Sequence, residues 1–397
     1  MNLKTKVLYL VSFAAFLRSF AQVIYVPSLG VMRVDLNATT AMLGLTISIY
    51  GLCLAFAQIA YGPTVDRFDS KRILLIGLAL YFFGNLSAYF TRGIGLLLVA
   101  RSLQALGIAA AAGVGIALIS DLFPVNERGR AMGVFSMFNS AGAASGPAFG
   151  GLIAVWLTWR ADFLILAIIT IILLAFTIWQ LPTQPVYGQN VGLKDMWTIA
   201  RTLPTFGALI LGFVHFYGIY TIHTLTPILL ADKMSLHEAG IGAVSTMTAL
   251  GVIFGTYAGG RVSDQRGMRF TLIVGVIGAT LSLGMITFIS SVATSSMSPV
   301  VVGVGLLAFG LTAGFGFAAQ LNIMVDNFPA MRGTAGALQF FARFIGTTLG
   351  PLMAGYLADR AGVPSGYGLA TGVLAVGAVI AYFTVSNPVH VMEAATK

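Results

Sequence analysis

Charge is what this sequence has least of. Asp, Glu, Lys and Arg make up 9% of its 397 residues, against roughly 25% in soluble domains. So few charges cannot solvate the surface of a chain this long, which excludes an ordinary water-soluble protein. Cysteine is nearly missing too. Cys53 is the single one and sits in an apolar run, so no intramolecular disulfide can form. Acids are sparse, and none falls midway along an apolar stretch. Asp121 and Asp326 lie at one set of stretch ends, and Asp35, Asp162, Asp232, Glu238 and Asp359 lie near the opposite ends. Long polar segments are absent, leaving no room for an extramembrane catalytic domain. With no metal-ligand cluster, phosphate-binding loop or nucleotide domain legible, the chain reads as a non-enzyme without a cofactor.

Apolar residues fill the space, at 57% of the chain. Runs of about 20 recur along the whole length, each long enough to span the hydrocarbon core as a helix. Twelve spans are expected, near 7–29, 41–62, 72–91, 94–119, 131–156, 161–181, 205–229, 238–260, 269–291, 299–325, 333–357 and 365–386. Residues 182–204, with Pro182, Pro185, Gly188, Lys194 and Asp195, form one sizeable linker between halves at 1–181 and 205–397. The fold class is therefore an all-α membrane protein of two six-helix bundles.

The net charge of +9 is a matter of topology and not a nucleic-acid footprint. Of 22 basic residues, 14 fall in alternate loops or at the termini, five in the other loops and three inside spans (14 + 5 + 3 = 22). An excess of Lys and Arg marks the cytoplasmic side, which puts both termini there. The first apolar stretch is too long for a cleavable signal peptide, carries Arg18 and lacks a small-x-small exit.

The chain also says nearly the same thing twice. Gly62-x-x-x-Asp66-Arg67 is echoed by Gly260-x-x-x-Asp264-x-Arg266, and Pro124-x-x-x-Arg128-Gly129 by Pro329-x-x-Arg332-Gly333. Gly146-Pro147 is echoed by Gly350-Pro351. A repeat this long in an apolar chain implies duplicated bundles that rock around a site near the bilayer midplane. Asp66, Arg67, Asp264, Arg266, Arg128 and Arg332, with Gly62 allowing close helix approach, could then latch the bundles in one state.

The turn from Gly62 to Arg72 resembles the loop between helices two and three of the major facilitator superfamily. It departs in Thr64, Asp69 and Ser70. Arg101-x-x-Gln104-x-x-Gly107 resembles the family's fourth-helix motif. Gly142-x-x-x-Gly146-Pro147-x-x-Gly150-Gly151 resembles the fifth-helix motif of its antiporters, particularly drug and metabolite exporters, and Trp159-Arg160-x-x-Phe163 the loop that follows. The resemblance covers essentially the whole chain. It implies a proton-coupled exporter of a small amphipathic or anionic molecule, working by alternating access as a monomer in a bacterial or archaeal plasma membrane.

Polar residues inside spans should line a cavity and not face lipid. Arg18, Gln22 and Tyr25 make one such stripe, and Gln339 and Arg343 another. With Arg101, Gln104, Asn139, His215 and Tyr220 they form the expected substrate cavity. Three arginines without a buried acid favour anionic or zwitterionic cargo over cations. His215, His223 and Arg101 are the candidates for proton coupling, histidine because its ordinary pKa lies near neutrality. The rival readings are an organic-anion exchanger or uniporter without proton coupling, and a non-transporting membrane sensor.

Overall fold

The computed structural model describes residues 3–181, 199–328 and 332–385, and every regular element among them is helical. The side chains of residues 3, 62–67, 120–121, 125–126, 325 and 332–333 fall outside that description. In lipid a backbone can satisfy its own polar groups only as a helix or a closed barrel, so apolar runs of this length become helices.

The first crossing is broken. Helix α1 (Leu3–Val23) gives way to a 3-10 turn at Val26–Ser28, and α2 (Leu29–Asp35) finishes the passage. Pro27 sits in the turn, where its missing N–H and fixed φ interrupt the helical ladder. Helices α3 (Thr40–Arg67), α4 (Ser70–Tyr89), α5 (Ile94–Leu122), α6 (Val125–Trp156) and α7 (Trp159–Gln180) complete the first half. The second half runs α8 (Leu203–Met234), α9 (Glu238–Arg266), α10 (Met268–Val292), α11 (Pro299–Phe315), α12 (Phe317–Asn327), α13 (Arg332–Ala361) and α14 (Val363–Thr384). Here α11 and α12 form one crossing, broken at Gly316, while α8 runs unbroken through Pro227.

Ten of these segments are long and apolar enough to cross a membrane. The remaining two expected spans fall on α6 and α13, which have 32 and 30 residues but are diluted by Gly, Ser, Thr and an internal proline. Their packing accounts for that composition. Across the halves, α3 lies along α13 and α6 along α9, so the second helix of each half meets the fifth helix of the other. The helices at this seam trade apolarity for small side chains that let backbones approach.

The duplication extends to helix ends. Lys71 Nζ donates to Ile178 O at 2.8 Å, and Arg269 Nη2 donates to Tyr382 O at 3.2 Å. In each half a base at the start of the third crossing satisfies an orphan carbonyl at the end of the sixth. Asp69, one of the departures noted in the first loop, is the N-cap of α4 and accepts from Lys71 N at 3.3 Å. Since α3 continues to Arg67, Asp66 occupies its last turn, not the start of the next helix.

Candidate functional site

In the first half, Arg101 is fully buried between α1, α3 and α5. Its guanidinium lies 4.1 Å from the Tyr50 ring centroid and 4.6 Å from that of Tyr25. It donates to Gln104 Oε1 at 2.7 Å and to Ala21 O at 3.3 Å. Gln104 in turn donates to Asn85 Oδ1 at 3.0 Å, and Asn85 to Tyr81 O at 2.8 Å. Stacked rings and neutral acceptors thus surround this buried cation, with no carboxylate among them. Tyr25 closes the box through its hydroxyl, 2.9 Å from Thr46 Oγ1.

Arg18 is only partly buried. Its Nη2 donates to Asn139 Oδ1 at 2.6 Å, an oxygen that Ser19 Oγ also shares at 2.6 Å. Gln22, one turn on, is 5% exposed, and its Nε2 finds no partner among the described residues.

The second half builds a different cluster. Arg343 Nη2 donates to Gln320 Oε1 at 3.2 Å, and its guanidinium lies 5.0–5.6 Å from the rings of Phe216, Phe317 and Phe340. Gln339 Nε2 donates to the same Gln320 oxygen at 3.2 Å and to Ala208 O. Gln320 Nε2 lies 3.0 Å from His215 Nδ1, which is also 2.8 Å from Leu211 O. The two clusters approach each other along α8. Phe216, which faces Arg343, stacks on Tyr220, and Tyr220 meets the His223 ring edge-on at 5.4 Å. Tyr220 also lies within electrostatic reach of Arg18 and Tyr50 in the other half.

Arg18, Gln22, Tyr25, Arg101, Gln104, Asn139, His215, His223, Tyr220, Gln339 and Arg343 therefore occupy two polar clusters joined by an aromatic ladder. Tyr50, Asn85 and Gln320 belong with them and were not singled out in the sequence. Each is polar within an apolar span, the same signal that marks Gln22. Asp162, placed by the sequence near the far face, is 0% exposed, and neither carboxyl oxygen finds a partner among the described residues.

The glycine motif divides its work. Gly142 and Gly150 lie against the carbonyls of Phe16 and Ile24, and a Cβ on Gly146 would stand 2.6 Å from Val23, so all three pack on α1 within one half. Gly151 lies against Glu238 O, and Pro147 O against Gly242, both in the other half. Of the proposed charged latch, the side chains of Arg128, Asp264 and Arg266 are described. Arg128 Nε donates to Phe123 O at 2.9 Å. Asp264 and Arg266 are exposed on the last turn of α9, with Arg266 5.3 Å over Phe270. The side chains of Gly62, Asp66, Arg67 and Arg332 lie outside the described residues.

Among the described residues, cross-half side-chain hydrogen bonds gather at the end opposite the termini. Arg33 pairs with Asp232 at 2.7 Å, and Asp359 accepts from Thr40 N at 2.9 Å and Ala41 N at 2.8 Å. A mainly apolar cavity of about 370 Å³, lined by Pro27, Val31, Val34, Ala231, Leu236 and Ile241, opens at that end, away from the arginines.

The family model of the Major Facilitator Superfamily matches residues 11–347 and 208–397. The chain belongs to the major facilitator superfamily. Among curated relatives, Multidrug resistance protein D of Escherichia coli (strain K12) is 24% identical over 80% of each chain. The Hexuronate transporter of Bacillus subtilis (strain 168) is 24% identical over 91% of this chain and 90% of its own. Among solved structures, a bacterial homologue of the human lysosomal transporter Spinster, crystallised inward-facing and unoccupied, superposes with a TM-score of 0.81 over 97% of both chains at 16% identity. The fold is thus that of the superfamily, and the chain is a multi-pass membrane transporter of this class.

Proposed function

We propose that this transporter is a proton-coupled exporter that moves a small anionic or amphipathic molecule by alternating access. The halves 1–181 and 205–397 rock as bodies about the α3–α13 and α6–α9 seams, with 182–204 as their tether. One observation carries the reading: Arg18 and Arg343, one from each half, flank the Phe216–Tyr220–His223 ladder with no carboxylate partner among the described residues. A guanidinium inside a membrane protein is costly and marks a substrate path, and its fork suits carboxylate or phosphate. Two relatives are named for drug resistance and for a hexuronate, and an arginine-lined aromatic site is compatible with either chemistry. His215 and His223 are the proton carriers of the reading. The charge asymmetry of the loops supports cytoplasmic termini in a bacterial or archaeal plasma membrane.

The arginines without a nearby acid also favour a second reading, exchange of organic anions without a proton. Purified protein in liposomes separates the two. Flux of a labelled hexuronate driven by an imposed pH gradient supports the first. Counterflow indifferent to pH supports the second, and absence of any flux overturns both.

A further inference from the structure

We propose that Asp359 is a gate residue: carried on the second half, its carboxylate clamps the start of α3 in the first half and holds the far end shut. The first N–H groups of a helix have no intrahelical partner and carry the positive end of its dipole. At α3, Thr39 Oγ1 caps locally by accepting from Met42 N at 3.2 Å. The two donors before it, Thr40 N and Ala41 N, go to the two oxygens of Asp359, 319 and 318 residues away. This is a helix cap supplied by the opposite bundle. Close approach makes it possible, because a Cβ on Gly355 would stand 2.8 Å from both Ala41 Cα and Thr40 O.

Separating the halves at this end exposes two backbone donors and a carboxylate together. The Arg33–Asp232 pair sits at the same end, but its side chains are 29% and 42% exposed, and such surface pairs contribute little. Arg360, next in sequence to Asp359, stacks 4.4 Å over Tyr356. Burial works to raise the Asp359 carboxyl, but the bonds from Ala41, Thr40 and Thr39 outweigh it and hold the group below its ordinary value. A depressed carboxyl keeps its stabilising charge above the ordinary carboxylate range and loses it only as pH falls through the lowered value. Mild acid outside therefore leaves the clamp closed, and the conformational cycle itself has to break it.

The inference rests on alternating access but not on any cargo, so its test needs none. In a Cys53→Ser background, spin labels on Arg92 and Ser296, exposed loop positions of the two halves at the far end, report its opening by pulsed dipolar distances. Asp359→Ala should raise the ratio of long to short distances about tenfold, as loss of charge-assisted bonds implies. Asp232→Asn should change it by less than about twofold, and wild type should keep the short distance from pH 7.5 to 5.5. Unchanged distances in Asp359→Ala, or an equal shift in Asp232→Asn, overturn the proposal. If Asp359→Ala does not fold, Asp359→Asn is read by the same criteria. A normal distance shift in a protein without flux counts against the transport reading and leaves the gate standing.

Discussion

The Gln320 carboxamide oxygen accepts from Arg343 Nη2 at 3.2 Å. Since Gln339 donates to the same oxygen, the amide is fixed with its nitrogen toward His215. His215 Nδ1 therefore faces two demands that one atom cannot meet together. With a proton it donates to Leu211 O, and without one it accepts from Gln320 Nε2. One proton on one nitrogen decides how Gln320 sits against Arg343.

Replacing His215 by Gln removes that choice. We expect His215→Gln to flatten the pH dependence of flux while leaving transport measurable, and Gln320→Met to flatten it with His215 intact. A wild-type profile in both variants would return the histidine to a structural role.

Arg343→Lys keeps the charge but loses the planar fork and its aromatic stacking. For an anionic cargo the half-saturation concentration should rise about tenfold or more, nearly as far as in Arg343→Ala. Concentration series of flux in liposomes measure it, and a lysine variant close to wild type would mean that charge alone suffices.

Gly150 and Gly151 are neighbours with different tasks. A side chain at Gly150 meets the Ile24 carbonyl inside one half, so Gly150→Val should cost on the order of 1–3 kcal/mol of stability through overpacking. Gly151→Ala meets Glu238 O across the seam and should slow turnover more than it lowers the melting temperature. Thermal unfolding in detergent, set beside flux, resolves the pair.

Asp162 is buried, and neither carboxyl oxygen has a partner among the described residues. Such a group costs about 1–3 kcal/mol, and an apolar replacement removes that cost. Asp162→Leu should therefore raise the melting temperature. A lower one would show that the carboxyl has a stabilising partner.

Helical spans, their number of residues and the doubled plan were legible because period and length suffice to specify a helix in lipid. Arg18, Arg101 and Arg343 stood out by the cost of charge in an apolar run. Gln320 and Tyr50 carry the same polar-in-span signal as Gln22, but what they do comes from neighbours that lie far away in sequence, His215 with Arg343 for the one and Arg101 for the other. Asp162 lies near a helix end, as its position in the sequence indicates, yet its side chain is fully buried, which position alone does not reveal. The contact of Asp359 with Thr40 was out of reach for the same reason, since nothing local to either residue points to the other.

The two crossings without a long, strongly apolar stretch, α6 and α13, both line the seam between halves. Insertion into a bilayer favours segments by their own hydrophobicity, so these two are the weakest to enter alone. They have to be stabilised on entry by helices already in place, α1 for α6 and α8 for α13. The seam on which the proposed rocking depends thus ties biogenesis to the order of synthesis, and a chain from which α1 is deleted should insert α6 less completely than one that carries it.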